Sequence, residues 1–404
     1  MARGIGGSDQ QTELEKLQDM TAGAEPITLD EFEARVAKVQ QVMQQQGLSA
    51  VYINAGTNLY YFTGTRWWPS ERMVGALIPR SGDIVYIAPA FEVSTLNEYM
   101  CLPGKVYGWQ EHEDPYTLAA RLFADLAPTG KIGIDEAAPF FLAEGLRAAA
   151  PGTEFVNAGP VTAACRMHKS ASEIALMQRA KNMTIEVHKA AARILKAGIS
   201  TTEVTAFIHE AHKKVGAPGG SVFCIVLFGE ATAYPHGVKN PQTLKDGDMV
   251  LIDTGCELLG YKSDITRSYV FGEASEKQRQ VWAHEKEAQA RAFEAAQIGV
   301  RCGDVDNAAR SYLESVGYGP EYNVPGLPHR TGHGIGLDIH EWPYLVRSDD
   351  TPLAPGMCFS NEPMLCLYGE FGVRLEDHFY MTEDGPKWFT EPSHSIDDPF
   401  GEAA

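Results

Sequence analysis

Five side chains in the C-terminal half of the chain could together bind metal ions. Each lies in a short segment: Asp253 in VLIDTG, Asp264 in YKSDITR, His333 in HRTGHGIGLDIH, Glu362 in SNEP and Glu376 in GVRLED. Four carboxylates and one imidazole are a suitable ligand set for two divalent cations that share a bridging water or hydroxide. The residue types and their order therefore predict a site for two divalent metal ions.

Electrostatic repulsion is the reason why these acids would need cations between them. Two carboxylates about 4 Å apart repel each other by about 4 kcal/mol at an effective dielectric constant near 20. Four of them in a core would become protonated or move apart unless cations lay between them. The alternative is that they are ordinary acidic residues on exposed strand faces. Their position inside apolar, strand-like runs favours the metal site.

An antiparallel hairpin would bring the first two ligands together. Residues 249–253 (MVLID) predict a buried strand that a Thr-Gly pair ends, and residues 261–271 (YKSDITRSYVF) predict the return strand. The spacing between Asp253 and Asp264 then lets the hairpin place both carboxylates at one end.

Alternation along the segment GVRLEDHF places a cation beside another ligand. Successive strand residues point to opposite faces, so Arg374 and Glu376 share a face. The sequence therefore predicts a guanidinium beside the Glu376 carboxylate, available to a substrate anion. Residues 359–362 predict a neighbouring strand that ends at Pro363.

The length of 404 residues and the patterns along the chain predict two domains. Residues 1–25 are polar and predict a partly flexible arm. An amphipathic helix over residues 30–46, short strands (LSAVYIN, MVGALIP, DIVYIAP and KIGIDE) and a helix around residues 140–149 indicate an α/β domain. Helices that begin at capping boxes at Ser170 and Ser275 then alternate with antiparallel strand pairs, which indicates an α+β domain.

The composition excludes two kinds of partner. With 44% hydrophobic and 22% charged residues, the chain is typical of a soluble globular protein. Its formal net charge of −19 comes from 34 basic and 53 acidic side chains. This charge repels phosphate backbones and anionic lipids, so we expect neither nucleic acid nor a membrane surface as a partner.

The cysteines and the apolar runs predict a cytoplasmic location. Seven cysteines without a CxxC pair indicate reduced thiols rather than a disulfide framework. No run reaches the roughly 18 apolar residues of a membrane span. The N-terminal residues lack the apolar stretch of a secretory signal, so we expect no secretion.

The motifs resemble those of the pita-bread metallopeptidase family, which includes prolidases, aminopeptidases P, methionine aminopeptidases and creatinase. The C-terminal half is similar through YPHG, LIDTGC, GYKSDITRS, HRTGHGIGLDIHE, PGMCFSNEP and FGVRLEDHF, and the N-terminal half more loosely through TNLYYFTG and KIGIDE. Within the family, the chain is most similar to bacterial Xaa-Pro dipeptidases. The resemblance implies a creatinase-like α/β domain (residues 1–160) and an α+β pita-bread catalytic domain (residues 161–404).

The resemblance also implies an activity, the hydrolysis of the peptide bond before a C-terminal proline in a small peptide. Two divalent ions, with Mn²⁺ expected and Co²⁺, Fe²⁺ or Zn²⁺ as alternatives, would hold a bridging hydroxide that attacks the carbonyl. Glu362 would also carry the water proton to the leaving proline nitrogen. His236 and His340 would stabilise the oxyanion and the departing group.

Two further residues have alternative interpretations. Arg374 would bind the C-terminal carboxylate of the substrate through a bidentate pair, or it would form a structural ion pair with Glu376 or a neighbour. His329 would line the specificity pocket or cap a loop.

The resemblance further implies a homodimer in which the N-terminal domain packs over the partner's cleft. Trp67 and Trp68, which follow the predicted YYFTG strand, would form part of the pocket wall, or else lie in an interface or a core. Several prolidases carry a tyrosine, bonded to a metal-ligand carboxylate, at the position of Val222. The surroundings of Asp253 must therefore differ here, unless Tyr261 or Tyr234 supplies the hydroxyl.

Other functions remain compatible with the same scaffold. One is an aminopeptidase P that acts on longer Xaa-Pro peptides, and another is the hydrolysis of a small non-peptide amide. They would differ from a dipeptidase in whether the cleft is closed beyond the leaving group's carboxylate. A non-catalytic or metal-free relative is disfavoured because all five ligands are present.

Overall fold

The computed structural model describes residues 3–127 and 129–401. The chain forms two compact units. The N-terminal unit comprises Pro26–Arg166, and the C-terminal unit comprises Met1–Glu25 together with Met167–Ala404.

The first residues of the chain pack on the C-terminal unit, where the sequence predicts a partly flexible arm. They contain helix α1 (Gln10–Lys16), which begins at the cap residue Asp9. Glu13 of this helix is fully buried, and its carboxylate accepts a hydrogen bond from Arg193 Nε at 2.7 Å. Buried charges need such partners. This ion pair gives the arm a fixed position that its polar composition does not predict.

The N-terminal unit has the predicted α/β architecture. Its elements are α2 (Leu29–Gln46), β1 (Leu48–Asn54), α3 (Thr57–Thr63), β2 (Gly75–Pro79), β3 (Val85–Pro89), α4 (Val93–Tyr99), β4 (Lys105–Trp109), α5 (Pro115–Leu126), β5 (Lys131–Ile134), α6 (Phe140–Ala149), β6 (Phe155–Asn157) and α7 (Gly159–Arg166). The strands form one sheet in the order β4-β3-β2-β1-β5-β6. Strand β2 is antiparallel to β1 and β3, and the other neighbouring pairs are parallel.

The segment YYFTG, predicted as a strand, instead belongs to a helix and its C-terminal cap. Helix α3 covers most of it and ends at Gly64, which is left-handed with φ of 69° and donates its backbone N–H to Tyr60 O. Aromatic and β-branched residues favour strands, but here a glycine cap closes a short helix instead.

The C-terminal unit has the predicted α+β composition. Its further elements are α8 (Ala171–Arg193), α9 (Thr201–Lys214), β7 (Ser221–Phe228), β8 (Met249–Leu258), β9 (Tyr261–Lys262), β10 (Ile265–Val270), α10 (Glu276–Ala295), α11 (Cys302–Ser315), β11 (Gly332–Gly334), β12 (Glu341–Leu345), β13 (Cys358–Asn361), β14 (Met364–Leu367), β15 (Phe371–Arg374), β16 (Asp377–Thr382) and β17 (Gly385–Trp388). The capping boxes predicted at Ser170 and Ser275 are present at the starts of α8 and α10.

Three sheets in this unit carry the strands. One has the order β10-β8-β7 with β9 beside β8, one has the order β12-β11-β13-β16-β17, and one consists of β14 and β15. An isolated bridge between Thr266 on β10 and Glu376 links the first sheet to the segment between β15 and β16. The backbone N–H of Glu376 donates to Thr266 O at 3.1 Å. The bridge therefore brings the predicted ligand segment YKSDITR, which contains Thr266, next to the predicted ligand segment GVRLED, which contains Glu376.

The hairpin that carries the two aspartates differs in detail from the prediction. Strand β8 continues to Leu258 instead of ending after Asp253, and the return strand is interrupted at Ser263 and Asp264. Gly255 permits this arrangement because a Cβ atom there would lie 1.8 Å from Ser263 O. The close approach lets β8 pair with β7 on one side and with β9 and β10 on the other.

In the part of the chain that the structure covers, none of the helices has both the length and the apolar character needed to cross a membrane.

Replacement of Gly255 by alanine should destabilise the C-terminal unit. The added Cβ would meet the backbone at Ser263, so the hairpin must move, and we expect a loss of about 2 to 3 kcal/mol in the free energy of unfolding. Denaturant titration of the chelator-treated protein measures this loss. Gly219→Ala is the control, because nothing lies within 4 Å of its Cβ position. Equal stability of the two variants would contradict the steric argument.

Candidate metal centre

The two aspartates lie on the hairpin of β8, β9 and β10. Asp253 pairs with Thr266 across the ladder, and Asp264 lies in the interruption just before β10. Both residues are buried. In the described structure, the Oδ1 atom of each has no hydrogen-bond partner. Buried carboxylate oxygens rarely remain without a partner, so these two atoms fit the role of metal ligands.

His333 on β11 presents one ring nitrogen to the carboxylates. Its Nδ1 lies 3.0 Å from Gly334 O, and its Nε2 lies 3.1 Å from Glu362 Oε1 and 3.7 Å from Asp264 Oδ2. A hydrogen bond from Nδ1 to a backbone carbonyl fixes the tautomer in which Nε2 can bind a metal ion. The backbone N–H of His333 is itself held by Ser360 Oγ at 2.9 Å.

A hydroxyl group donates a hydrogen bond to each of the two glutamates. Glu362 follows β13, and its Oε1 accepts a hydrogen bond from Ser360 Oγ at 3.2 Å. Glu376 is 1% exposed, and its Oε2 accepts a hydrogen bond from Thr266 Oγ1 at 2.6 Å. These hydroxyl bonds orient both carboxylates toward the imidazole.

Two groups of possible ligand atoms overlap at Glu376. One group is His333, Glu362 and Glu376, and the other is Asp264, Glu376 and His378. Within each group, the ligand atoms lie within 4.8 Å of one another. Carboxylate oxygens and imidazole nitrogens at such spacing are the donors that Mn²⁺, Fe²⁺, Co²⁺ and Zn²⁺ accept. The residues present therefore fit divalent metal ions.

Burial raises the pKa of most of these acids. The pKa of Asp264 is well above its ordinary value because of burial and then the charges of Glu376 and Asp253. Burial and the charges of Glu362 and Asp253 act in the same direction on the pKa of Glu376. Burial also raises the pKa of Asp253, although the charge of Arg374 opposes it. These three acids therefore hold their protons to a higher pH than ordinary carboxylic acids do.

Glu362 behaves in the opposite way. Burial alone would raise its pKa, but the hydrogen bond and charge of His333, with the charges of His329 and Arg374, lower the pKa of Glu362 below its ordinary value. This carboxylate is therefore ionised near neutral pH and can accept a proton.

Arg374 forms an ion pair with Asp253 and not with Glu376. Its Nη2 contacts Asp253 Oδ2, its Nε donates to Thr266 Oγ1 at 3.1 Å, and its Nη1 donates to Pro235 O at 3.2 Å. The residue is 3% exposed. These contacts correspond to the structural alternative for Arg374, with Asp253 as the neighbour. The binding of a substrate carboxylate stays a prediction.

The predicted catalytic histidines lie toward the exposed side of the cluster. The ring of His340 lies 4.1 Å from the ring of His333, and its side chain is exposed. Partial burial, followed by the charges of His333 and Arg330, lowers the pKa of His340 to about 4. His236 is exposed, and it lies near enough for its charge to contribute to the same lowering of the pKa.

His329 lies partly buried beside this group. Its Nδ1 is 2.7 Å from Arg330 O, as the loop-cap alternative requires. Burial lowers its pKa, and the charges of Glu362 and Arg374 act on it in opposite directions. His329 therefore contacts its own loop and also lies close to the cluster.

The loop that carries His340 is held by a buried ion pair. Lys169 Nζ lies 2.9 Å from Glu341 Oε2, and the two side chains are 2% and 5% exposed. The other oxygen of Glu341 accepts a hydrogen bond from the backbone N–H of Asp338 at 3.0 Å. These two contacts hold residues on either side of His340, Asp338 and Glu341, and so restrict where its imidazole can lie beside His333.

One residue of the cluster was not predicted. His378 on β16 is fully buried, and its Nε2 lies 3.2 Å from Glu376 Oε1. Burial, then the charges of Lys181 and His333, lower the pKa of His378 well below its ordinary value. The signal was present in the sequence, because alternation from Glu376 places the side chain two positions later on the same face.

The tyrosines considered as substitutes at the Val222 position have other partners. Val222 is exposed on β7 beside a bulge. Tyr261 donates its hydroxyl to Glu173 Oε1 at 2.9 Å, and Tyr234 packs on Tyr368 with ring centroids 5.1 Å apart. The hydroxyl of Tyr261 is thus bonded to Glu173, and Asp253 forms an ion pair with Arg374.

The two tryptophans belong to the N-terminal unit and differ from each other. Trp68 is 89% exposed, whereas Trp67 packs edge to face on Tyr99 with centroids 6.4 Å apart. Their contribution to a pocket wall stays a prediction.

Comparison with known protein families gives two matches that together cover most of the chain. The chain matches Metallopeptidase family M24 over residues 175–383 and the Creatinase/Prolidase N-terminal domain over residues 35–168. The chain therefore belongs to the M24 metallopeptidase family. The predicted family and the predicted fold class are both confirmed.

Similar individual proteins are dipeptidases and prolidases. The Xaa-Pro dipeptidase of Pyrococcus furiosus is 31% identical over 362 residues, which cover 90% of this chain and 99% of that protein. The structure of dipeptidase PepE from Mycobacterium ulcerans has a TM-score of 0.85 and 33% identity, and the match covers 92% of this chain and 98% of that chain. The prolidase from Thermococcus sibiricus has a TM-score of 0.81 and 30% identity, with coverage of 89% and 97%. This chain is thus a metallopeptidase of the prolidase type that uses divalent metal ions.

Removal of the Lys169 charge should destabilise the fold strongly. Lys169→Met takes the ammonium away from the buried Glu341 carboxylate, so we expect a loss of about 3 to 5 kcal/mol in the free energy of unfolding. The double variant Lys169→Met/Glu341→Met should recover part of it, because both buried charges are then removed. The control Lys131→Met breaks an exposed pair with Glu154 and should change little. Similar denaturation midpoints for Lys169→Met and the control would contradict the buried ion pair.

Binding of Mn²⁺ should release protons. The pKa values of Asp264 and Glu376 are raised in the metal-free site, so at mildly acidic pH the folded protein holds protons that the cation must displace. The affinity for Mn²⁺ should therefore rise with pH. Calorimetric titration in two buffers of different ionisation enthalpy should detect on the order of one proton released per ion. Asp125→Asn, an exposed position, is the control, and affinity that is independent of pH would contradict the raised pKa values.

Proposed function

We propose that this protein is a dinuclear-metal Xaa-Pro dipeptidase, which hydrolyses the peptide bond before a C-terminal proline. The observation that carries the proposal is the convergence of four predicted ligands, Asp264, His333, Glu362 and Glu376. Asp253 lies outside these two ligand groups, but its Oδ1, like that of Asp264, is buried without a hydrogen-bond partner in the described structure. The similarity to an Xaa-Pro dipeptidase over 90% of the chain supports the substrate class.

The proposed ligands are Asp253, Asp264, His333, Glu362 and Glu376. A count of two ions is supported by the two ligand groups that overlap at Glu376, since a carboxylate can bond one cation through each oxygen. When bound, the ions would supply Lewis-acid activation of a water molecule and of the substrate carbonyl. Mn²⁺ is the proposed ion, with Co²⁺, Fe²⁺ and Zn²⁺ as alternatives.

Glu362 is the proposed proton carrier. Its side chain is 14% exposed, the largest value among the four proposed carboxylate ligands. Its lowered pKa keeps it ionised, so it can accept a proton from the attacking water and deliver it to the proline nitrogen. The contact with His333 holds the carboxylate in place during both steps.

His340 and His236 are proposed to act on the substrate carbonyl and the departing group. With a pKa of about 4, His340 is neutral near pH 7 and can donate a ring N–H to the developing oxyanion. His236 lies exposed in the loop whose carbonyl at Pro235 binds Arg374. This loop therefore connects the outer histidine to the base of the site.

Arg374 is proposed to serve two negatively charged partners. In the structure its guanidinium neutralises part of the charge of Asp253. Once cations balance Asp253, the attraction between Arg374 and this aspartate would weaken, and a bidentate pair with the C-terminal carboxylate of a dipeptide would compete with it. Arg374 would then hold Asp253 in place before the ions bind, and would bind the substrate afterwards.

The proposal also includes a homodimer, in which Trp67 and Trp68 of one subunit border the cleft of the other. The match of residues 35–168 to the Creatinase/Prolidase N-terminal domain supports the presence of such a domain in each chain. The exposed side chain of Trp68 is available for a contact of this kind.

The decisive test is hydrolysis of Ala-Pro, Ala-Pro-Ala and Ala-Ala by chelator-stripped protein, before and after Mn²⁺ is restored. We expect cleavage of Ala-Pro alone, dependent on Mn²⁺. Glu362→Gln should abolish it by removing the proton carrier, with a loss of at least about 100-fold in kcat. Glu383→Gln, on the exposed turn before β17, is the control and should retain full activity.

Each alternative function has its own outcome in this assay. Cleavage of the tripeptide would identify an aminopeptidase P that acts on longer peptides. If Mn²⁺ binds stoichiometrically while none of the three peptides is cut, the peptidase proposal fails. A small non-peptide amide would then be the substrate to test.

A further inference from the structure

A buried ion pair on helix α11 contacts the loop that leads to His333. Asp306 is 0% exposed and Arg310 is 2% exposed, and Arg310 Nε donates to Asp306 Oδ2 at 2.8 Å. A buried ion pair adds little net stability by itself, because the lost hydration of the two charges offsets their attraction. The groups that the pair holds in place are therefore the better guide to its role.

The guanidinium of Arg310 binds three carbonyl groups of residues 316–331, the irregular segment between α11 and β11. Its Nη1 donates to Glu321 O at 3.1 Å and to Leu327 O at 3.0 Å, and its Nη2 donates to His329 O. One rigid, planar group thus connects distant parts of this segment, which we call the α11–β11 loop. These contacts therefore fix the course of the loop.

The carboxylate of Asp306 binds the end of the same loop. Its Oδ1 accepts hydrogen bonds from the backbone N–H of Thr331 at 3.0 Å and from the Thr331 hydroxyl at 2.7 Å. Its Oδ2 also accepts the backbone N–H of Arg347 at 3.2 Å. The carbonyl of Thr331 in turn accepts the backbone N–H of Glu362 at 2.8 Å. One path of hydrogen bonds therefore runs from the ion pair through Thr331 to Glu362.

We propose that the ion pair of Asp306 and Arg310 positions Glu362 for its two proposed roles, as a metal ligand and as the proton carrier. Arg310 fixes the course of the α11–β11 loop. Asp306 then fixes Thr331 at the end of the loop, and this residue fixes the backbone of Glu362. Both members of the pair are buried, so they are positioning residues that act through the loop. The inference rests on the proposed function, because that function assigns these roles to Glu362.

The expected magnitude follows from what positioning residues usually contribute. Loss of a group that orients a metal ligand typically weakens metal binding or activity by about 10-fold to 100-fold. A displacement of about 1 Å can likewise reduce a rate by about 100-fold. The KM for a dipeptide should change little, because Arg374, and not Glu362, is the proposed partner of its C-terminal carboxylate.

The first test removes one link and leaves the ion pair intact. In Thr331→Val the buried side chain keeps its shape and loses its hydroxyl, while Asp306 Oδ1 retains the backbone N–H at position 331. We expect the Kd for Mn²⁺ to rise about tenfold and kcat for Ala-Pro at saturating Mn²⁺ to fall about tenfold, with KM within about twofold of the wild type. Thr331→Ser keeps the hydroxyl and should retain the wild-type Kd and kcat. Equal losses in the two variants would contradict a role of the hydroxyl and overturn the proposal.

Thr162→Val is the matched control for stability. Thr162 is also fully buried, and its hydroxyl donates to Glu136 Oε1 at 2.8 Å in the N-terminal unit. This variant should lower the Tm in a similar way but change neither the Kd for Mn²⁺ nor kcat. Losses of affinity and rate as large as those in Thr331→Val would overturn the proposal, because they would show a general effect of destabilisation.

The second test keeps the charge and removes the geometry. The ammonium group introduced by Arg310→Lys cannot reach three carbonyls and a carboxylate together, so we expect both effects to approach about 100-fold. Arg301→Lys makes the same change at the cap of the same helix, in an exposed pair with Asp304, and should leave both quantities unchanged. A wild-type Kd or a wild-type kcat in folded Arg310→Lys would overturn the proposal.

Folding and function have separate outcomes. If Arg310→Lys does not fold, Thr331→Val decides, because its ion pair is intact. If neither variant folds with or without Mn²⁺, the pair is a requirement of the fold and the proposal is overturned. If the wild type binds Mn²⁺ but cleaves none of the peptides of the hydrolysis assay, the proposed function fails instead.

Discussion

Mutual repulsion among four buried carboxylates is the constraint on which the structure of the C-terminal unit depends. Asp253, Asp264 and Glu376 are almost completely buried, and Glu362 is only slightly exposed. At an effective dielectric constant near 20, each close pair costs about 4 kcal/mol when both members are ionised. Raised pKa values relieve part of this cost, and the guanidinium of Arg374 relieves another part. The repulsion that remains between the carboxylates raises the free energy of the site, and a bound cation would remove this repulsion. This is a physical basis for an affinity for divalent metal ions.

The β-ladders hold the acids together against this repulsion. Thr266 pairs with Asp253 across the ladder, bridges to Glu376 through its backbone, and links Arg374 to Glu376 through its hydroxyl. The next residue on the same strand points to the opposite face, where Arg267 forms a fully buried ion pair with Asp377 at 2.8 Å. Because side chains alternate, Thr266 and Arg267 connect β10 to residues 376–377 on both faces of the strand. The inner contacts orient ligands, and the outer ion pair keeps the strands from separating.

The sequence predicts the ligands better than it predicts their surroundings. Motif spacing and alternation identify the acids, the imidazole and the face that Arg374 shares with Glu376. They do not identify Asp253 as the partner of Arg374, because that contact depends on how a distant strand packs. His378 was within reach of the same alternation rule. The burial of Lys181 could not be predicted in this way, because a lysine in an amphipathic helix ordinarily lies on the surface. Only the packing of α8 reveals that this lysine is buried.

The two ends of the cluster differ in exposure, and this difference decides where chemistry can occur. Asp264, Glu376 and His378 are 5%, 1% and 0% exposed and are thus enclosed by protein. A substrate cannot reach that end without displacing the core. The opposite end is bordered by Glu362, His340 and His236, whose side chains have access to solvent. Glu362, whose pKa is lowered, and His340, whose pKa is about 4, therefore lie on the side of the cluster that solvent reaches, whereas two of the acids with raised pKa values lie on the enclosed side. Burial raises the pKa values of Asp264 and Glu376, whereas the hydrogen bond and charge of His333 lower the pKa of Glu362, so chemically similar carboxylates differ in how readily they hold a proton.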